Sequence, residues 1–449
     1  MRLKALVWFG AMAVMGVSAV SCAAQAASDV SGAKGPLTGK WQVTAEFHGT
    51  PMYAPLQLEQ AGQKLTGNFH GEKLEGTVEK LEDGGVKLHF VAKDGEGDVD
   101  EGNATVADGE MKGEVVTSEN GGTQHDRIPF TAELIKPIVR GNEMHEFVPT
   151  VFYRSWSPFN KPVLRVKPGD TIHTTTVDAG GTDEKGVRRV MGGNPATGPF
   201  YIEGAEPGDT LVVHIVRLKL NRDWAMSDDD VVSRATDTEL AVRFKDAGKG
   251  VRWNLDRANG TASVAEPGEH MKGFSIPVRP MLGCVATAVG PPQAPPPTGD
   301  EGWYGGNMDF NEVGEGATVY LPVSNPGALL YFGDAHALQG DGELNGNALE
   351  TSMDVTVQVD VIQGKHLNGP RVETADALIA MGLGGDLEDA LRGATSNMAD
   401  WLQDEYKLTA SEQAEFLGVA SEFHISEVAD RNAGIVLKIK KADLAKLGR

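Results

Sequence analysis

Lys40-Trp41-Gln42-Val43-Thr44-Ala45-Glu46-Phe47 places an apolar residue at every second position and a polar one at each position between. Side chains on a strand point alternately to its two faces, so this octapeptide predicts a β-strand with one dry face and one wet face. The rhythm recurs in Leu56-Gln57-Leu58-Glu59, Lys64-Leu65-Thr66-Gly67-Asn68-Phe69, Leu74-Glu75-Gly76-Thr77-Val78 and Val86-Lys87-Leu88-His89-Phe90-Val91. Gly, Asp or Asn closes each run, which is the pattern of antiparallel neighbours joined by tight turns. Residues 37–135 are therefore expected to form a small antiparallel β-barrel or sandwich. No convergent polar residues mark it as a place of chemistry.

Upstream, Arg2 and Lys4 precede a mostly apolar stretch, Ala5 to Val20, and Ala24-Gln25-Ala26 offers small residues for cleavage. Residues 1–26 read as a signal peptide of an exported, periplasmic protein, because the apolar run is too short for a bilayer span. Cys22 is an alternative lipid-anchor site. Residues 27–36 read as a linker.

Downstream of Lys136-Pro137, residues 136–449 read as a second domain with longer strands. The expected strands are Val163–Val166, Thr171–Val177, Thr210–Leu218, Thr318–Pro322, Ala328–Phe332 and Thr356–Ile362. After Pro370 the period turns helical, which predicts a helical part over about 371–432, with Thr409-Ala410-Ser411-Glu412 as a capping box. Gly434-Ile435-Val436-Leu437-Lys438-Ile439 is a final strand. The fold class is mainly β.

The chain carries 63 Asp and Glu against 41 Lys and Arg, a formal charge of −22 in 449 residues. That balance repels nucleic acid and anionic lipid and suits cations. Only Cys22 and Cys284 are present, so packing rather than disulfides holds the protein together, and Cys284 is read as a small buried residue.

The densest chemistry lies in Phe332-Gly333-Asp334-Ala335-His336-Ala337-Leu338-Gln339-Gly340-Asp341-Gly342-Glu343. In extended chain Asp334 and His336 share a face, and so do Asp341 and Glu343, while Gly340 and Gly342 permit a reversal between the pairs. Three carboxylates and an imidazole around one point make either a hard-cation site or an acid/base cluster. Gly305-Gly306-Asn307-Met308-Asp309 and Asp178, just past a strand, are natural companions, and Glu203 could add a ligand. Phosphate-binding loops, dinucleotide fingerprints and paired-Cys zinc spacings do not occur.

Four strings in order resemble the acetamidase/formamidase family: Asn194 to Leu211 (beginning Asn-Pro-Ala-Thr-Gly-Pro-Phe-Tyr-Ile-Glu-Gly), Pro280-Met281-Leu282-Gly283-Cys284, Gly305 to Asp309, and Gly333 to Glu343. The resemblance runs from about His145 to the C-terminus and leaves out the N-terminal module. It implies a β-sandwich with a helical part, hydrolysis of short linear amides to acid and ammonia, and assembly as a homo-oligomer. It also implies a divalent metal, zinc or calcium, with Asp178, Asp309, Asp334 and His336 as ligands. Glu343, Asn307 and Asp341 are the expected catalytic residues, and Gly306, Gln339 and Glu203 the expected substrate contacts. Asn325 stands where relatives often carry His, and Ala335 and Leu338 replace smaller residues. A non-catalytic protein binding a cation or small ligand in the same cleft is the alternative.

Overall fold

The alternation that begins at Lys40 forms the first strand of a closed barrel in the computed structural model of the chain. The structure describes residues 35–448 except 48, 70, 83, 94–97, 120–123 and 292, so the signal-peptide segment and Cys22 lie outside the described residues. The chain divides into two compact units, one made of the residues up to Ile135 together with Pro291–Gln293, the other of Lys136–Gly290 and the residues from Ala294 on.

In the first unit, strands β1 (Gly39–Phe47), β2 (Thr50–Ala61), β3 (Lys64–Phe69), β4 (Glu72–Lys80), β5 (Val86–Lys93), β6 (Val99–Ala107), β7 (Glu110–Glu119) and β8 (Gln124–Leu134) pair in sequence order. Pairing of Trp41 with Leu134 and Ala45 with Phe130 closes the ring. The barrel-or-sandwich alternative thus resolves to a barrel. Its interior is filled by Trp41, Leu56, Leu58, Phe69, Phe90 and other apolar residues, each worth about 1.5–3 kcal/mol on full burial. Gly102 lies against the Phe90 ring, where a Cβ would collide with it. Gln42 and Thr117 are the buried polar residues among the described residues of this unit.

The second unit is a sandwich of two sheets, nine-stranded and eleven-stranded among the described residues. In the first, Thr210–Leu220 lies between Thr318–Pro322 and Met353–Ile362. In the second, Leu330–His336 is flanked by Met281–Ala286, Ala196–Ile202 and Glu350–Thr351. Leu211, Ile215, Val355 and Val357 from one sheet join Phe200, Leu282, Val285 and Phe332 from the other in a single core.

Within 371–432 helices fill only part of the span, and two short ones lie outside it, at Thr238–Arg243 and Lys441–Leu444. Leu387–Tyr406 is capped by Asp386, and Ala410–Ala420 carries the expected Thr409–Glu412 capping box. Arg371–Glu373, Ala377–Gly384 and Glu422–Glu427 are strands instead. Ala377–Gly384 is apolar throughout and buried along most of its length, so it shows neither period. Gly382 lets the long helix press against this strand, since a Cβ there would strike the Ala390 carbonyl.

Candidate functional site

The strand Leu330–His336 carries the site within itself rather than leading up to it. Gly333 and Ala335 pair with Cys284 and Leu282 on the neighbouring strand, which brings Gly283 opposite Asp334. A Cβ on Gly283 would lie 2.6 Å from Asp334 Oδ2 and closer still to Asp309 Oδ1. The missing side chain leaves the room that these two carboxylates occupy.

His336 is fully buried at the centre. Its Nδ1 is 2.9 Å from Gln339 Oε1 and 3.6 Å from Asp309 Oδ1. Its Nε2 faces Asp334 Oδ2 at 3.5 Å and Glu350 Oε1 at 3.2 Å. Gln339 donates from Nε2 to the carbonyls of Asp309 and Ser426, so its carbonyl oxygen is the end turned to the imidazole. Gln339 therefore orients His336; it is a positioning group rather than a substrate contact in this arrangement. Asn194 donates to Asp334 Oδ2 at 3.1 Å.

Potential ligand atoms of Asp309, Asp334 and His336 lie within 4.8 Å of one another, and so do those of His336, Glu343 and Glu350. The cluster could hold a metal ion. Both oxygens of Asp309, Asp334 Oδ1 and His336 Nε2 are buried with no hydrogen-bond partner, and buried polar atoms are normally satisfied. The backbone is strained around the same point: Asn194, Asp309, Asp334 and Glu343 have φ of +54°, +37°, +52° and +48°. Left-handed conformations at non-glycine residues cost about 1–3 kcal/mol each and persist where the surroundings enforce them.

Crowding dominates the electrostatics. Burial, with Glu343 and Asp334 adding to it, raises the Asp309 carboxyl well above its ordinary range. Burial raises Glu343 as well, against the opposing pull of His336 and with Glu350 and Asp334 adding to the rise. Glu350 is pushed up to about 8, by burial first and then by Asp334. For His336, burial works against the charged form, but Glu350 and Asp334 overcome it and raise the imidazole. So many acids around one imidazole need protons or a cation to coexist.

Asp309, Asp334, His336, Glu343 and Gln339 thus converge. Other candidates lie elsewhere. Asp178 forms a buried ion pair with Arg222 at 2.8 Å and accepts from the Thr182 amide at 2.8 Å. Both of its oxygens are engaged, so it is a partner of arginine rather than a metal ligand here. Asp341 is exposed, bound to Asn311 Nδ2 at 2.7 Å and to His424 at 3.0 Å. It parts from Glu343 because Gly342 has φ +85° and Glu343 φ +48°, so the chain is not extended there and alternation fails. Glu203 is half-exposed and faces Arg165 at 3.7 Å. Gly306, at φ +105°, is packed on the backbone of Asp300 and Glu301. Asn307 accepts from Cys284 Sγ at 2.7 Å and donates to Asp430, so its amide links neighbours. Cys284 is fully buried, and burial, then Asp334 and Asp309, hold its thiol well above the usual range. That suits a packed thiol, not a thiolate.

The sequence assigns Glu350, Asn194 and Asp430 no place in the site. Glu350 arrives through a two-residue strand paired with His336, for which spacing offers no signal. Asn194 was visible only as the first residue of a family-like string. Asp430, pushed up to about 7 by burial and then, against the Asn307 hydrogen bond, by Glu427 and Asp334, comes from a turn after the helices.

Residues 296–430 match the model of the Acetamidase/Formamidase family, a span that contains Asn307, Asp309, Asp334, His336, Glu343, Glu350 and Asp430. The formamidase of Methylophilus methylotrophus is 26% identical over 264 residues, 47% of this chain and 64% of that protein. The acetamidase of Mycolicibacterium smegmatis is 26% identical over 273 residues, 47% of this chain and 66% of that protein. The chain thus spans just under two-thirds of the length of these curated relatives. The acetamidase of Yersinia enterocolitica superposes with a TM-score of 0.60 at 28% identity, over 70% of this chain and 97% of that structure. The superposed share, the matched segment and the cluster inside it agree in one likeness, to the acetamidase/formamidase family.

Proposed function

We propose that the second unit hydrolyses small linear amides, of the formamide and acetamide kind, to carboxylic acid and ammonia. The observation that carries this is the buried group of Asp309, Asp334, His336, Glu343 and Glu350, in which both Asp309 oxygens, Asp334 Oδ1 and His336 Nε2 lack a hydrogen-bond partner and the missing side chain of Gly283 makes room for the Asp309 and Asp334 carboxylates. The names of the relatives point to the same reaction class.

The donor set fits a divalent cation, because the orphaned oxygens of Asp309 and Asp334 and the orphaned His336 Nε2 are the atoms a cation would satisfy. Asp309, Asp334 and His336 would hold it. When bound, it supplies charge that makes an amide carbonyl more electrophilic and a water more acidic. One imidazole among carboxylates favours zinc; calcium, which takes six to eight oxygens, is the second candidate.

The chain's own residues do the rest. Gln339 fixes the plane of His336, and Asn194 fixes Asp334. Glu343 accepts a proton from the attacking water and delivers it to the departing nitrogen. Its surroundings favour holding a proton, which suits the delivery step. Glu350 faces the same His336 Nε2, so its carboxylate is a further oxygen beside the place the cation would take.

Purified protein incubated with formamide, acetamide and propionamide, with and without chelator, tests the reading by ammonia release. Glu343→Gln should lower turnover at least 100-fold, with an unchanged melting curve. No ammonia from any of the three amides by metal-loaded, folded protein would reject hydrolysis in favour of ligand binding alone. Export to the periplasm, supported by the pattern of residues 1–26, and assembly as a homo-oligomer belong to the same proposal. Cell fractionation and sedimentation test them.

A further inference from the structure

A cavity of about 420 Å³ opens between the nine-stranded sheet and the helix Leu387–Tyr406, and it shares no residue with the carboxylate cluster. Cavities of this size suit small organic ligands. Tyr320, Leu378, Trp401 and Tyr406 line it, and Tyr320 meets Trp401 edge-to-face with centroids 6.0 Å apart.

Arg371 lines the same cavity and is only 2% exposed. Its Nε donates to Asn397 Oδ1 at 2.8 Å and its Nη2 to the Asn397 carbonyl at 3.2 Å. Those two bonds tie strand to helix and give part of the guanidinium a structural purpose. They leave Nη1 buried without any hydrogen-bond partner. The two acids that line the cavity are already engaged: Glu405 with Lys365 at 2.6 Å, and Glu373 with Lys441 at 2.6 Å and the Tyr320 hydroxyl at 2.7 Å. The lining therefore holds one positive charge in excess, inside a chain of formal charge −22. Buried guanidinium groups are ordinarily paired, and their fork geometry matches carboxylates. Burial also pulls the Arg371 side chain below the usual arginine range, against the opposing pull of Asp404, Asp400 and Glu405.

We propose that this cavity is a binding site for a small carboxylate with an aromatic or branched apolar body. Its carboxylate meets Arg371 Nη1, and its body packs against Tyr320, Trp401 and Tyr406. The inference stands independently of amide hydrolysis, since none of these residues belongs to the carboxylate cluster.

Calorimetric titration of the full chain with phenylacetate, 2-phenylethanol and inorganic phosphate tests it. Phenylacetate should bind saturably at millimolar concentration or below. The neutral alcohol and the bodiless anion should each bind at least tenfold more weakly. Ile362 lines the rim and is 39% exposed, so Ile362→Trp should obstruct the cavity without disturbing Arg371. It should weaken phenylacetate at least tenfold and leave ammonia release unchanged. Arg371→Lys should also weaken phenylacetate, and if that variant does not fold, Ile362→Trp decides. Folded wild-type protein that ignores phenylacetate, binds the alcohol or phosphate equally well, or is unaffected by Ile362→Trp would overturn the assignment.

Discussion

Replacing Gly283 by alanine adds one methyl group at the point where two carboxylates meet. The methyl carbon would lie 2.6 Å from Asp334 Oδ2 and nearer to Asp309 Oδ1. Comfortable contacts begin at about 3.5 Å, so each carboxylate must retreat by roughly 1 Å. Backbone movement offers little relief, because the Gly283 carbonyl accepts from the amides of Met308 at 2.9 Å and Asp309 at 3.2 Å. Overpacking of this kind costs about 1–3 kcal/mol of stability. A shift of ~1 Å in a catalytic group costs about 100-fold in rate, equivalent to ~2.7 kcal/mol of transition-state stabilisation. Gly283 lies in the strand Met281–Ala286, outside the left-handed region, so alanine brings crowding without a conformational penalty. The assay is kcat/KM by ammonia release, alongside thermal melting and metal content of the same preparation. Gly283→Ala with wild-type values in all three would refute the claim that the site is built around this gap.

Asp178→Asn should leave bound-metal stoichiometry unchanged while destabilising the fold by about 3–5 kcal/mol, because it strips the buried Arg222 of its charge partner. Loss of metal with an unchanged melting curve would restore Asp178 as a ligand. Asp170 accepts from the amides of Glu143 and Lys167 and from His145 Nε2, each at 2.9 Å. Burial raises its carboxyl, but His145 and the two amides outweigh burial and leave it below the usual range. Its contribution is thus complete above the unfolded value of about 3.9 and is lost as pH falls through the lower folded value. Urea melts at pH 7 should show Asp170→Asn less stable by about 1–3 kcal/mol, with the gap closing in acid; a gap that persists at low pH would contradict the linkage.

The first unit was legible because its physics is local. Trp41, Val43 and Ala45 alternate with polar residues, and a period of two requires only a strand and a dry side. Even so, alternation left barrel and sandwich open, and the pairing of β1 with β8 chose between them. In the second unit the Thr409–Glu412 capping box was readable from four residues, whereas Ala377–Gly384 carried no period and was misassigned to the helical part.

The sequence by itself determined the mainly β architecture, the acidic balance and the stretch from Gly333 to Glu343 where chemistry concentrates. It placed Asp334 and His336 together by alternation, and they do share the site, although Asp334 reaches it through a left-handed backbone. Tertiary structure alone decided which acids belong with them. Strand pairing brought in Glu350, a turn after the helices brought Asp430 to Asn307, and a buried arginine took Asp178 away. A carboxylate's role depends on which charges and donors lie within a few ångströms, and for Glu350 such a neighbour comes from 171 positions away, a distance over which local periodicity carries no information.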